Sequence, residues 1–159
     1  MRKEGLVITA LIAYLLLSSS KAKAKVKDWR EYVEVVARRE GIDPDLVKAV
    51  ILTESGGNPY AYRKEIGKPY ESIGLMQVTL QAARDVGFRG RKEDLFDPFT
   101  NIEVGVKYLK KMINRFGLYY GIAAYNAGPG NVLRGRYSKR YVMTVLRHYD
   151  RIKRGLESL

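Results

Sequence analysis

The sequence contains no cysteine and a single histidine among its 159 residues. The absence of cysteine excludes disulfide bonds, thiol nucleophiles and cysteine-based zinc sites. His148 has no partner at metal-ligand spacing, so we interpret it as a surface or helix-end residue. The sequence shows no phosphate loop, no nucleophilic triad and no cluster of metal-ligating residues. We therefore expect neither a metal nor a cofactor.

Acidic residues are also scarce, with 17 Asp and Glu against 29 Lys and Arg, which gives a net charge of +12. This balance favours polyanionic partners, namely nucleic acid, anionic lipid or an acidic cell-wall polymer, without choosing among them. The hydrophobic content of 46% is ordinary for a globular protein. The length indicates one domain that is large enough to bury its own core.

The one long apolar run, Leu6–Leu17, follows two basic residues and precedes the small residues of segment 22–24. As a helix it would span about 18 Å, well short of the hydrocarbon core of about 30 Å. The pattern predicts a cleaved signal peptide over residues 1–24, and the absence of cysteine excludes a lipoprotein anchor. We expect the domain 25–159 to be exported to the periplasm or cell envelope. In that setting an anionic wall polymer is a better partner than nucleic acid.

The remainder of the chain predicts helices joined by short loops that contain glycine and proline. Asp28 and the Asp43-Pro44 pair are helix starts, and Gly41 is a helix stop. A strand pattern is scarce outside the loop 58–72. Neither an internal repeat nor a linker divides the chain, so the sequence predicts a mainly α single domain. Beyond the helix that starts at Pro44 and runs to about Glu54, we predict helices near residues 75–86, 98–116, 118–127 and 138–152.

Glu54 is the first candidate for catalysis. Leu46, Val50 and Glu54 follow one another at a spacing of four residues, so they lie along one face of the predicted helix. That apolar face directs Glu54 toward the core at the helix C-terminus, where desolvation and the helix dipole both raise a carboxyl pKa. A general acid that works near neutral pH needs such a pKa. The spacing alone is equally compatible with a solvated glutamate on the last helical turn.

Four motifs occur in order along the chain. They are Glu-Ser-Gly-Gly-Asn-Pro at 54–59, Gly-Leu-Met-Gln at 74–77, Ala-Tyr-Asn-Ala-Gly-Pro-Gly-Asn-Val at 124–132 and Tyr-Val at 141–142. This set resembles the SLT-type lytic transglycosylases, relatives of goose-type lysozyme, and the resemblance covers roughly residues 47–149. It implies an α-helical, lysozyme-like fold with a substrate cleft.

The resemblance also implies roles for individual residues. Glu54 matches the single catalytic acid/base of the family, and the hydroxyl of Tyr141 matches the group that positions this carboxyl. From the residues alone, Met76 and Tyr125 fit the core equally well, and Asn126 fits a helix end. The ring of Tyr141 fits the core in either interpretation, and the destination of its hydroxyl decides between them. The predicted substrate-binding residues are Ser72, Met76, Gln77, Tyr125, Asn126 and Tyr141.

The resemblance implies a reaction in which Glu54 protonates the oxygen between N-acetylmuramic acid and N-acetylglucosamine. The resulting carboxylate then accepts the proton of the 6-hydroxyl, which closes a 1,6-anhydro ring without consuming water. The loop 58–72 also carries Glu65 and Glu71. Either carboxylate, if held over the cleft, would activate water and turn the reaction into the hydrolysis of a goose-type lysozyme. We predict instead that both pair with basic residues of the same loop.

Two other classes of function remain open from the sequence. One is a non-catalytic peptidoglycan-binding module with the same fold, against which the presence of Glu54 argues. The other is an exported basic protein that binds nucleic acid or a membrane surface through charge alone, against which the scatter of Lys and Arg argues. We predict a monomeric peptidoglycan lytic transglycosylase whose partner is the glycan strand. We expect no nucleic-acid partner and no stable membrane anchor after signal cleavage.

Overall fold

The computed structural model describes residues 26–64 and 66–159, so the predicted signal peptide and Glu65 lie outside the described residues. Helices dominate the described part, which confirms the mainly α prediction. The helices are α1 (Trp29–Glu40), α2 (Pro44–Ser55), α3 (Leu80–Asp85), α4 (Pro98–Ala127), α5 (Pro129–Leu133) and α6 (Lys139–Lys153). A short 3-10 helix spans Lys92–Phe96, and two strands, β1 (Tyr62–Lys64) and β2 (Glu71–Ile73), form an antiparallel hairpin.

Local capping signals define the first two helices, as the sequence predicts. The Asp28 side chain accepts a hydrogen bond from the Arg30 amide at 2.9 Å, and Gly41 ends α1 in the left-handed conformation. Asp43 caps α2 in the same way, with Pro44 in its first turn. These caps satisfy backbone donors that the first helical turn leaves without partners.

The predicted helix near residues 75–86 is wrong in its first half, because α3 begins only at Leu80. A turn replaces the first half, since Gly74 has a φ of +75° and Gln77 a φ of +48°, neither of which continues a right-handed helix. The helices predicted on either side of residue 117 are continuous except at Gly117, where φ is 77° and ψ is 176°. No helix within residues 26–64 and 66–159 is both long and apolar enough to cross a bilayer.

Helix α2 lies at the centre of the core, and α6 packs along it in the antiparallel direction. At one end the Tyr149 hydroxyl donates to Asp43 at 2.7 Å, and at the other the Tyr141 hydroxyl donates to Glu54 at 2.6 Å. Burial of apolar side chains stabilises this pair by roughly 25 cal/mol per Å². The α2 side chains that take part are Leu46, Val47, Ala49, Val50 and Ile51, all of them buried.

Helix α1 is fixed to α4 by a partly buried carboxylate. Glu103 of α4 accepts hydrogen bonds from the Tyr32 hydroxyl and from the Arg39 guanidinium of α1. The ring of Tyr32 also meets Phe99 edge to face, with centroids 5.1 Å apart. A carboxylate in this position keeps its charge because it has both a cationic partner and a hydroxyl donor. The contact sets α4 firmly against the rest of the helical core.

Candidate active site

Glu54 lies on the last turn of α2, where the hairpin, the turn 74–77, the end of α4 and the start of α6 meet. Its side chain keeps part of its surface accessible while protein atoms surround the carboxyl. Burial raises the pKa of Glu54 to about 7, against the opposing effects of Tyr141 and Arg63. A partly exposed glutamate that is protonated near neutral pH is suited to general acid catalysis.

Tyr141 determines how the Glu54 carboxyl is oriented. The tyrosine is on the first turn of α6, and its hydroxyl donates to Oε1 of Glu54 at 2.6 Å. Burial and the neighbouring Glu54 raise the pKa of Tyr141 well above its usual value, so this hydroxyl stays a donor. The sequence left open which group the Tyr141 hydroxyl contacts. In the structure this group is the candidate acid, while the ring packs against the core.

The turn 74–77 forms the floor beside Glu54 and is bound to three elements. The Ser55 hydroxyl of α2 donates to the Leu75 carbonyl at 2.7 Å, and the Tyr125 hydroxyl of α4 donates to the Met76 carbonyl at 2.7 Å. The Gln77 amide donates to the carbonyls of Ala61 and Gly74, each at 3.1 Å. These bonds fix the turn with respect to the helix that carries Glu54.

Asn101 of α4 is a structural residue that the sequence analysis does not identify. It is fully buried, and its side chain accepts from the Met76 amide at 2.8 Å. It donates to the carbonyls of Ile73 and Leu95, both also at 2.8 Å. In the sequence, Asn101 could have been recognised as a lone asparagine on the apolar face of a predicted helix, because a buried amide needs hydrogen-bond partners. In the structure, two of its three partners are in or next to the turn 74–77.

The predicted substrate-binding residues take different positions around Glu54. Tyr125 and Ser72 are partly exposed, and Asn126 is exposed at the end of α4. The Met76 side chain is fully buried, so it supports the floor from the core and does not reach the surface. Gln77 is 8% exposed, and its side-chain amide donates its hydrogen bonds to backbone carbonyls. Of the six predicted residues, Tyr141 contacts Glu54 directly.

Arg63 of β1 is a second residue of the site that the sequence analysis did not assign to it. Its guanidinium acts on Glu54 and on Tyr141, in each case lowering the pKa against the larger, opposing effect of burial. From the sequence we expected this arginine only as a possible ion-pair partner of the loop glutamates. Its direction depends on the register of the hairpin, which pairs Arg63 with Ser72.

Glu71 is committed to partners away from Glu54. Its carboxylate accepts from Lys92 at 2.6 Å and lies 3.8 Å from Lys64. The hydrogen bond from Lys92, followed by that from Tyr62, holds the pKa of Glu71 below its usual range. The prediction that this glutamate pairs with basic residues is confirmed, although its strongest partner comes from the 3-10 helix rather than from its own loop.

Other polar groups and cavities lie away from Glu54. His148 is half-buried within α6 and contacts Glu157 at 2.8 Å. Glu54 lines neither of the two surface cavities, which have volumes of about 220 Å³ and 470 Å³.

Replacement of Tyr141 by phenylalanine removes the donor to Glu54 and retains the ring. We expect kcat to fall by about ten- to a hundredfold, since a hydrogen bond to a charged group contributes roughly 1.5–3 kcal/mol. The pKa of Glu54 should rise further, because the hydroxyl opposes the effect of burial. Steady-state kinetics from pH 5 to 9 measure both effects. Unchanged kcat and an unchanged pH profile would contradict this role for the hydroxyl.

A family model and curated relatives match this sequence. The family model described as "Transglycosylase SLT domain" matches residues 31–142. The membrane-bound lytic murein transglycosylase E of Buchnera aphidicola is 32% identical over 107 residues, which are 63% of this chain and 46% of the relative. The membrane-bound lytic murein transglycosylase C of Mannheimia succiniciproducens is 34% identical over 142 residues, 79% and 38% respectively. The chain thus spans less than half the length of these curated relatives.

Solved structures agree with the fold. The 70-kDa soluble lytic transglycosylase of Escherichia coli superposes with a TM-score of 0.60 at 28% identity over 78% of this chain and 24% of that chain. Its complex with bulgecin A gives 0.66 at 27% over 80% and 25%. An inactive mutant of Slt from Pseudomonas aeruginosa gives 0.66 over 81% and 25%, and its identity of 24% supports the fold alone. The fold is that of the lysozyme-like SLT domains, and the chain belongs to the transglycosylase SLT domain family.

Proposed function

We propose that this protein is a peptidoglycan lytic transglycosylase in which Glu54 is the single acid and base. The observation that carries the proposal is a partly exposed glutamate whose carboxyl has a pKa of about 7 and is oriented by a hydrogen bond from Tyr141. Family membership supports the same reaction class, because the relatives are named lytic murein transglycosylases. A lone glutamate with these properties can give a proton and later take one back.

In the proposed reaction, protonated Glu54 donates its proton to the oxygen between N-acetylmuramic acid and N-acetylglucosamine. The bond from this oxygen to the muramic-acid carbon breaks, and the electron pair leaves with the oxygen. The Glu54 carboxylate then accepts the proton of the 6-hydroxyl, whose oxygen bonds to the same carbon and closes the anhydro ring. The attached hydroxyl competes well with water because it is already close to the reacting carbon.

Further residues of the site support binding in this proposal. Tyr125 holds the Met76 carbonyl and exposes part of its ring, while Asn126 offers an exposed amide at the end of α4. Ser72 lies on the side of the hairpin that carries Arg63. We assign Tyr125, Asn126 and Ser72 to contact with the glycan, and Gln77 to the support of the floor beneath it.

Hydrolysis is the alternative, and it requires a carboxylate that holds a water molecule. A nearby carboxylate would raise the pKa of Glu54. Among the described residues, the groups that shift this pKa are Tyr141 and Arg63, and neither is a carboxylate. Glu71 is held by Lys92 on the other face of the hairpin. These contacts favour ring closure over the delivery of water.

Replacement of Glu71 by glutamine tests the role of this second carboxylate. We expect the products from purified sacculi to keep the same mass and the rate to stay within about threefold, because the ion pair with Lys92 is structural and partly exposed. Mass spectrometry of the released fragments measures the product type. A change from one product type to the other would assign Glu71 to the chemistry.

We also propose that the chain acts in the cell envelope, where its substrate lies. Residues 1–24 would direct export, and residues 25–159 would form the catalytic domain. The matched relatives are named membrane-bound. Our proposal differs for this chain, because its predicted leader has the length and flanks of a cleaved signal peptide. We propose a monomer without a lasting anchor, and fractionation of producing cells would test this location.

Digestion of purified sacculi tests the proposed function. We expect soluble muropeptides that end in anhydro-muramic acid, each lighter by one water than the corresponding hydrolysis product. Fragments with reducing ends would instead support the goose-type lysozyme reaction. Binding of the protein to sacculi without release of any fragment would support the non-catalytic wall-binding module.

A further inference from the structure

The hairpin beside Glu54 has two faces of different character. Because β1 and β2 pair in antiparallel register, Arg63 lies opposite Ser72. Side chains alternate along a strand, so Tyr62 and Glu71 point to the opposite face. That opposite face is occupied by Lys92, which donates to Glu71 at 2.6 Å. The face that carries Arg63 and Ser72 is left for the site, and we call it the cleft face.

The base of the hairpin is tied to the end of α2. The Gly74 amide donates to the Ala61 carbonyl at 2.8 Å, which closes the hairpin two residues before Arg63. The hydroxyl of Ser55 donates to the carbonyl of Leu75 at 2.7 Å. These two bonds place the start of β1 beside the last turn of α2. The cleft face therefore stands next to the candidate acid.

Three titratable groups on three different elements act on the Glu54 carboxyl or feel its charge. Tyr141 of α6 donates a hydrogen bond to it, and the charge of Glu54 raises the pKa of Tyr125 of α4, to which burial makes the larger contribution. Arg63 of β1 contributes a positive charge. Two groups within residues 26–64 and 66–159 shift the pKa of this carboxyl, and Arg63 is the one that carries a positive charge. Burial raises the pKa of Glu54, and both Tyr141 and Arg63 oppose that rise.

We propose that Arg63 is a positioning residue that stabilises the Glu54 carboxylate as it forms during bond cleavage. This inference rests on the proposed function of Glu54. When the proton leaves for the glycosidic oxygen, a negative charge appears beside the cleft face, and the guanidinium attracts it. Arg63 is exposed in the structure, so water screens this attraction. A glycan strand over the site displaces water and strengthens the attraction at the stage where the charge develops.

Arg63→Gln tests the proposal through the pH profile of kcat/KM on soluble glycan oligomers. Glu54 must be protonated to act, so activity falls as pH rises through its pKa. Without the arginine that pKa rises, and the alkaline limb should move up by about half to one pH unit. We also expect kcat at the optimum to fall about tenfold, with KM within about twofold, because the lost attraction acts mainly in the transition state.

Two further variants separate charge from structure. Arg63→Lys retains the positive charge and should restore most of the wild-type limb. Lys64→Gln removes the same charge from the adjacent position, whose side chain faces Glu71 at 3.8 Å on the opposite face. This control should leave the alkaline limb of the wild type in place. Rising salt should move the wild-type limb toward that of Arg63→Gln, because screening weakens the attraction.

An alkaline limb that stays in place in Arg63→Gln would overturn the proposal, as would an equal movement in Lys64→Gln. Failure of the proposed function is a different result. It would show as full activity in a Glu54→Gln variant, whatever the behaviour of Arg63. Thermal melting of each variant confirms that the compared proteins are folded.

Discussion

Glu54→Gln should lower the rate of glycan cleavage by about 1,000-fold, within the range of 10²–10⁴ that general acid–base catalysis contributes. The amide is nearly the same size as the acid and can accept the Tyr141 hydrogen bond, but it has no proton to give to the glycosidic oxygen. Binding to sacculi should stay close to that of the wild type. Release of soluble fragments over time measures the first effect, and a pull-down with sacculi measures the second.

The same variant should be more stable than the wild type at pH 8. The folded pKa of Glu54 is about 7 against a reference of 4.5, so the carboxyl favours folding fully below pH 4.5. The contribution of the neutral carboxyl to the free energy of unfolding is lost as pH rises through 7. Because the side chain is partly accessible, we expect a gain of about 1–3 kcal/mol in the free energy of unfolding at pH 8. Little difference should remain at pH 4.

Denaturant unfolding at these two pH values measures the gain. Glu93→Gln is the matched control, because the same chemical change occurs at an exposed position on the 3-10 helix. It should change neither the rate nor the pH dependence of stability. A Glu54→Gln protein that cleaves glycan at the wild-type rate would remove Glu54 from the reaction. Equal stability gains at both pH values would contradict the desolvated carboxyl.

Asn101→Ala should lower the free energy of unfolding by about 3 kcal/mol. The side chain is fully buried and makes three hydrogen bonds of 2.8 Å to the backbone of Met76, Ile73 and Leu95. Its removal leaves one amide and two carbonyls without these partners, each at a cost of about 1–3 kcal/mol, less any bonds that water replaces. Activity should fall as well, because the turn 74–77 forms the floor beside Glu54.

Asn114→Ala is the matched control for this prediction, since Asn114 is exposed on the same helix. Its free energy of unfolding should stay within about 0.5 kcal/mol of the wild type, as for most surface substitutions. Asn101→Asp should be at least as destabilising as the alanine variant, because it loses both donors and buries a charge. A wild-type melting curve for Asn101→Ala would show that the turn holds its shape without this residue.

Local signals predicted the first two helices and the position of the candidate acid. Asp28 and Asp43 start helices through bonds to amides two residues away, and Gly41 ends one through its own backbone conformation. These effects depend on neighbours in sequence, so a pattern of residue types is sufficient to predict them. Glu54 was placed at a helix end by the same kind of signal. The four ordered motifs, and not its spacing, distinguished it from an ordinary solvated glutamate.

Contacts between distant residues decided the features that were not predicted. Apolar residues follow Gly74 as they would in a helix, yet the segment is a turn because Asn101 holds its backbone from α4. Gly74 also has the Asn101 amide nitrogen only 2.4 Å from where a Cβ would stand, so a side chain there would collide with it. Met76 points into the core against α4, where a Cβ on Gly105 would lie 2.4 Å from its sulfur. Neither packing constraint is visible from local spacing.

The position of Arg63 in the site also depends on a contact between residues distant in sequence, namely the pairing of β1 with β2. A shift of one residue in the register of β1 against β2 would move every side chain of the shifted strand to the opposite face. The loop 58–72 contains several basic and acidic residues, and composition alone made mutual pairing the natural expectation. The observed register pairs Arg63 with Ser72 and places Lys64 against Glu71. Because side chains alternate along β1, the two adjacent cations point to opposite faces, and Lys64 shares its face with Glu71.

The central claim is that Glu54 acts alone and that the 6-hydroxyl, not water, attacks the muramic-acid carbon. Digestion of purified sacculi in water enriched in heavy oxygen tests this most directly, with mass spectrometry of the released muropeptides. Ring closure by the 6-hydroxyl should give anhydro ends that carry no heavy oxygen. Reducing ends that carry one heavy oxygen atom for each cleaved bond would contradict it and would establish hydrolysis.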